Sequence, residues 1–352
     1  MHRISQLLPW ILTALLLLAP VKAAASGHET SEPGEIDMQS YIFGHIGDAY
    51  EWHITTINGH HISIPLPCIV IDGGLHVFLS NHIDGSGYTL NEDGKLVNAA
   101  TGARPIDISI TKNAFSLILS SILLVVLILW TASWYRKHDA MKEAPRGFAG
   151  LMEMLITMVT NDIIKEGVGK DYERYAPYLL TAFFFIFLNN LLGIVPFFPG
   201  GANLTGNIAV TLFLALCTFL AVNLFGNKHY YKDIFWPEVP TWLKVPLPLM
   251  PLIEIVGMFT KPFSLMVRLF ANILAGHIML LGVVAVIFLT AKLGPALNGS
   301  LSFIAVIFGI FMDILELLVA FIQAYVFTML SSVFIGLSRQ EPEHEKQLKT
   351  TK

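Results

Sequence analysis

Between Ala114 and Trp134 the chain carries no charged side chain, and about 20 apolar residues of helix are enough to cross a bilayer. Comparable runs follow from about Tyr178 to Phe198, Leu204 to Phe225, Phe263 to Ala291 and Leu301 to Gly336. In lipid every backbone N–H and C=O must be satisfied inside the protein, so such runs fold as helices. The expected fold is therefore an all-α polytopic membrane protein with about five membrane segments. Composition agrees, since 54% of residues are hydrophobic and 14% charged, against about 25% charged in ordinary soluble domains. As helices the last two runs would be roughly 43 Å and 54 Å long. Both exceed a hydrocarbon core of about 30 Å and must tilt, bend or run partly along the interface.

The first residues set Arg3 ahead of an apolar stretch from Leu7 to Ala19, followed by the small residues Ala23 and Ala25. This is the layout of a secretory signal peptide over 1–25; an uncleaved first transmembrane helix is the alternative. A cleaved signal places 26–105 outside the cytoplasm. That region is polar, with Asp-Gly-Gly, Asp-Gly-Ser and Glu-Asp-Gly turn signals between short runs such as Ile62 to Leu66 and Cys68 to Ile71. It reads as a small strand-and-turn domain or an extended extramembrane arm. Its histidines, His28, His45, His53, His60, His61, His76 and His82, match no metal-ligand spacing and read as surface residues. Cys68 lies in this polar region and Cys217 inside an apolar run, which disfavours a disulfide between them. A net charge of -4, from 22 basic and 26 acidic residues, suggests no nucleic-acid partner.

Residues 106–338 form the membrane domain. Arg136, Lys137 and His138 follow the first run at once, with Lys142 and Arg146 behind them, and mark the cytoplasmic side. From Gly147 to Glu173 the pattern is amphipathic, with Met152, Leu155, Ile156, Val159 and Ile163 at helical spacing; it predicts a helix along the interface or against a partner. Pro196 to Gly201 predicts a sharp outer turn, and Lys228, His229 and Lys232 return the chain to the cytoplasm. A proline-rich link from Pro237 to Pro251 precedes an apolar stretch expected to break or kink at Thr260, Lys261 and Pro262. The polar tail, 339–352, is placed in the cytoplasm.

Charged groups inside the last two runs carry the functional signal. Arg268, Asn272 and Ala275 share one helix face. An arginine at mid-membrane costs about 2.5–3.5 kcal/mol on insertion scales and cannot shed its proton, so it is expected to meet a polar lumen or a carboxylate. On the final segment Asp313, Glu316 and Gln323 lie within about 60° of one another and form a polar stripe. If the two helices are antiparallel, Gln323 comes near Arg268 and Glu316 near His277. An imidazole beside a partly buried carboxylate suits a proton relay or a structural hydrogen bond. Glu254 precedes Arg268 on its cytoplasmic side, as a channel-lining acid or as a helix-start acid.

Ser264, Leu265, Arg268, Leu269, Phe270, Asn272, Ala275 and Gly276, together with FLNNLLGIVPF and the helix ending in Gln323, Ala324 and Tyr325, resemble the a subunit of F-type ATP synthases over roughly 105–338. The resemblance implies a non-catalytic stator channel pressed against a ring of c subunits, with a b-subunit peripheral stalk and the rest of the synthase as partners, in a bacterial inner membrane. It implies that Arg268 meets the ring carboxylate with Asn272 and Gln323 in support. His277 and Glu316 would stand in the outer half-channel and Glu254 in the inner one. Members like the best-studied bacterial form have glutamate after the Ala-Gly and histidine in the last helix; here the two are exchanged. No cofactor is implied. A proton is the expected ion, with sodium left open because the ion site lies largely on the ring. A stand-alone ion-coupled secondary transporter is the alternative, although no internal repeat is present.

Overall fold

In the computed structural model the described residues are 47–339, apart from 58–59, 84, 92–93, 140–141, 196–199, 203, 236–248 and 291–294. The signal-peptide segment, the outer proline turn, most of the proline-rich link and the C-terminal tail lie outside the described residues.

Ahead of the membrane domain the turn signals resolve into short antiparallel strands. β1 (Glu51–Ile57) pairs with β2 (His60–Pro65). β3 (Pro67–Ile71) lies between β4 (Leu75–Leu79) and β7 (Ile106–Asp107), and β5 (Tyr88–Leu90) pairs with β6 (Leu96–Asn98). The Asp-Gly-Gly signal becomes the β3–β4 turn, where Gly73 takes a positive φ of 66° that a side chain would oppose. Tyr50, Cys68, Val70, Ile83, Tyr88 and Leu96 form a small apolar core. The Tyr50 hydroxyl donates to Asp107. Burial opposes ionisation of Asp107, yet hydrogen bonds from Ser109 and Tyr50 outweigh it and hold the carboxyl below the usual carboxylate range.

The regular elements described in the membrane domain are helices. Thr111 caps the start of α1 (Lys112–Lys137), accepting from the Ala114 amide at 3.4 Å. α2 (Phe148–Met158) runs through a π turn at Val159–Lys165 towards α3 (Tyr172–Ile194). After the outer turn come α4 (Ile208–Leu224), the short α5 (Lys228–Phe235), α6 (Leu249–Leu289) and α7 (Pro295–Arg339). Among the described residues four helical stretches are long and apolar enough to cross a bilayer, counting Phe148–Ile194 as one, and α4 is a shorter apolar helix. The chain is a polytopic membrane protein.

Two expectations change. The amphipathic segment after Gly147 turns its apolar face inward: Met152, Leu155, Val159 and Ile163 pack with Leu179, Phe183 and Phe327 in the chain's own core. The predicted break at Pro262 is absent, because α6 continues through it for 41 residues, roughly 61 Å of helix. A proline removes one backbone donor, and long helices tolerate the loss where neighbours re-satisfy the freed groups.

α7 packs along α3 and α6, and α4 packs on α6. At its C-terminal end α7 comes against the backbone of the turn after the π segment: a Cβ on Gly336 would stand 1.9 Å from the Gly167 carbonyl oxygen. Ser332 Oγ donates to the Ile163 carbonyl at 3.0 Å in the same contact. Small residues permit this approach. Gly336→Ala should therefore destabilise the folded subunit by about 1–3 kcal/mol, the usual cost of overpacking. Thermal unfolding in detergent checks this against Gly309→Ala, whose Cβ would find its nearest neighbour at 4.0 Å; equal midpoints for the two variants would disprove the contact.

Candidate functional site

The site is built on the antiparallel pair α6 and α7. Leu265, Leu269 and Ile273 recur every four residues along α6, and all three are buried. That apolar stripe fixes the rotation of the helix, and it leaves Arg268, Asn272 and Ala275 exposed on the adjoining face. Arg268 makes no ion pair or hydrogen bond within the chain among the described residues. It lines a cavity of about 310 Å³ with Thr260, Lys261, Ser264, Leu265, Leu330 and Phe334. Among the described residues, then, what stands beside Arg268 is this polar-edged cavity and not a carboxylate.

One turn along α6, Asn272 Nδ2 donates to Gln323 Oε1 at 2.9 Å. Gln323 is buried, and its Nε2 has no acceptor among the described residues. Gln323 thus reaches the arginine face through Asn272 rather than through Arg268 itself. Further along the pair, His277 Nδ1 and Glu316 Oε1 lie 2.9 Å apart, with side-chain exposures of 18% and 8%. Gly276 makes room for this contact, since a Cβ there would lie 3.1 Å from Glu316 Oε1.

α3 closes the site from a third side, which sequence reading left largely unassigned. Asn190 Nδ2 donates to the Ala320 carbonyl at 3.2 Å, and Thr205 Oγ1 donates to Asn190 Oδ1 at 2.7 Å. Gly193 lies against the His277 ring, where a Cβ would stand 3.7 Å from Cε1. The stretch FLNNLLG carried the signal, but Gly193 meets His277 on α6 and Asn190 meets Ala320 on α7, 130 residues away.

Two candidates stand apart. Asp313 is exposed while Glu316 and Gln323 are buried, so the expected stripe narrows to two residues; Asp313 belongs to a stretch of α7 in which Phe311, Ile314 and Leu315 are exposed as well. Glu254 is 14 residues before Arg268 on α6, about 21 Å along the axis. Burial first, then Tyr231 and Glu254, push the Tyr230 phenol up, which locates the Glu254 carboxylate beside α5.

The arrangement can hold a cation facing outward, a hydrogen-bonded amide pair behind it, and an imidazole–carboxylate pair two to three turns away. A family model described as ATP synthase A chain matches residues 118–336, and one described as a domain of unknown function matches 41–112. ATP synthase subunit a of Chlorobium phaeobacteroides (strain DSM 266) is 39% identical over 274 residues, covering 76% of each chain. The subunit a of Chlorobium phaeobacteroides (strain BS1) is 34% identical over 335 residues, covering 94% of this chain and 91% of that one. That of Myxococcus xanthus is 42% identical over 241 residues, 66% of this chain and 74% of its own. With the helical membrane domain, the arginine face of α6 and these matches taken together, the chain belongs to the family of F-type ATP synthase subunit a.

Proposed function

We propose that this membrane-sector subunit is the stationary half of a rotary proton channel, offering two offset aqueous half-channels to a turning ring of c subunits. The observation that carries the reading is Arg268, exposed on α6 without a partner of its own chain among the described residues. A permanent cation at the membrane's depth needs an anion, and a carboxylate on a separate ring subunit supplies one. Opposite charge favours the ionised state of the arriving carboxylate. The fixed positive charge also keeps a proton from hopping directly between the half-channels.

In this reading His277 and Glu316 form the outer relay, and their 2.9 Å contact supports proton transfer between them. The outer proton passes to a ring carboxylate, which enters lipid neutral and avoids most of the cost of a charge there. After nearly a full turn it releases the proton towards an inner approach near Glu254. Asn272 and Gln323 hold polar groups ready beside Arg268. The hydrogen-bonded imidazole–carboxylate pair supports a proton over sodium as the ion. The subunit itself makes and breaks no covalent bond. A peripheral stalk of b subunits holds it against the ring. Arg136 and Lys137 at the end of α1 support a cytoplasmic location for that end, with the strand region outside a bacterial inner membrane.

ATP-driven proton pumping in inverted vesicles tests the scheme. Arg268→Ala should abolish pumping in a complex that still assembles, and pumping at the wild-type rate would rule out the barrier role. Glu316→Gln should slow pumping by about 10²-fold or more, the scale of a lost acid–base group, while leaving assembly intact; an unchanged rate would make the pair purely structural. Asn272→Ala and Gln323→Ala remove the same hydrogen bond, so their effects on the pumping rate should be less than additive. Fully additive losses would mean that the two amides act independently.

A further inference from the structure

We propose that the outer face of the β4–β3–β7 sheet lies in the lipid surface of the leaflet at which α1 begins. An antiparallel sheet with one packed face ordinarily shows polar residues on the other. Here both faces are apolar. Cys68 and Val70 are buried in the small core, while on the opposite face Leu75 (68%), Val77 (62%), Leu79 (45%), Ile71 (40%) and Ile106 (66%) are exposed. Register makes the patch continuous: Ile71 sits opposite both Leu75 and Ile106, and Ile69 opposite Val77. A contiguous exposed apolar patch of this kind marks an interaction surface.

The sheet's attachment selects lipid as the occupant. Ile108 N donates to the Ile69 carbonyl at 2.9 Å, Ile110 N to that of Pro67 at 3.1 Å and Lys112 N to that of Ala49 at 2.8 Å, so the strand region is tied to the first residues of α1. Trp52 packs edge-on against Phe115 of α1, ring centroids 5.8 Å apart. The patch therefore starts where the span starts. Its near end at Ile110 leads directly to the outward residues Leu117, Ile118 and Ile122 of α1, which face hydrocarbon in a spanning helix. α1 packs on α2 and α3, whereas Arg268 and Asn272, which face the ring in the reading above, are on α6. A rigid apolar face held at the membrane boundary satisfies its desolvation by settling into the headgroup and acyl region.

Nitroxide labels at Val77→Cys and Ile106→Cys, introduced singly, test this in the assembled synthase reconstituted in phosphatidylcholine vesicles. The unmutated chain corrects for Cys68 and Cys217, and Thr101→Cys in an exposed turn is the aqueous reference. The ratio of collisions with oxygen to collisions with a water-soluble nickel chelate should be several-fold higher at 77 and 106 than at 101. Nickel access at 77 and 106 equal to that at 101 would overturn the proposal, because the face is then open to water. Exclusion of both probes would also overturn it, because protein then covers the face, whether residues 1–46 or another subunit. Both positions are exposed, and each answers the question if the other variant fails to assemble.

Discussion

A guanidinium keeps its proton in any protein environment, and in a membrane it must therefore be paired or solvated wherever it stands. Arg268 stands on α6, whose rotation is fixed by the buried Leu265, Leu269 and Ile273 on the adjoining face, and its side chain is left exposed. The rest of the site follows from that orientation. Asn272 occupies the next turn on the same side and is tied to Gln323. The cavity beside Arg268 draws on α6 and the far end of α7.

The same helix pair sets the relation between the two polar contacts. Asn272–Gln323 and His277–Glu316 succeed one another in opposite chain directions, as antiparallel packing requires. Buried polar groups are costly when unpaired, so a slip of one turn would strand two amides and a carboxylate at once. Glycine at 276 removes the bulk that would otherwise crowd Glu316 in its contact with His277. Close approach recurs near the C-terminal end of α7, where Gly167 and Gly336 meet. The long helix α7 is thus located at its middle and near its C-terminal end by contacts that depend on the lack of a side chain.

The strand region works differently. Its core is small, and the hydrogen bonds into the first turn of α1 hold it as an extension of the span. Burial of one sheet face fixes the register of β3 with β4 and β7, and the alternation then exposes the isoleucines, leucines and valine of the other face.

Length and polarity of the apolar runs determined the membrane class, and period-3.6 spacing placed Arg268, Asn272, Glu316 and Gln323 on particular helix faces. Matching depths on two antiparallel helices were enough to bring His277 and Glu316 together. These features are local, or depend only on chain direction. Tertiary structure decided what depends on distant partners. α6 runs unbroken through Pro262 because packing over 41 residues outweighs one missing donor. Asp313 lies on the same face of α7 as the buried Ala320, Ala324 and Phe327, yet it is exposed because its stretch of the helix, with Phe311, Ile314 and Leu315, has no neighbour packed over it among the described residues. The amphipathic stretch after Gly147 found its apolar partner within the chain. Asn190 and Gly193 joined the site because α3 packs against α7, a contact between segments more than a hundred residues apart that no local period encodes.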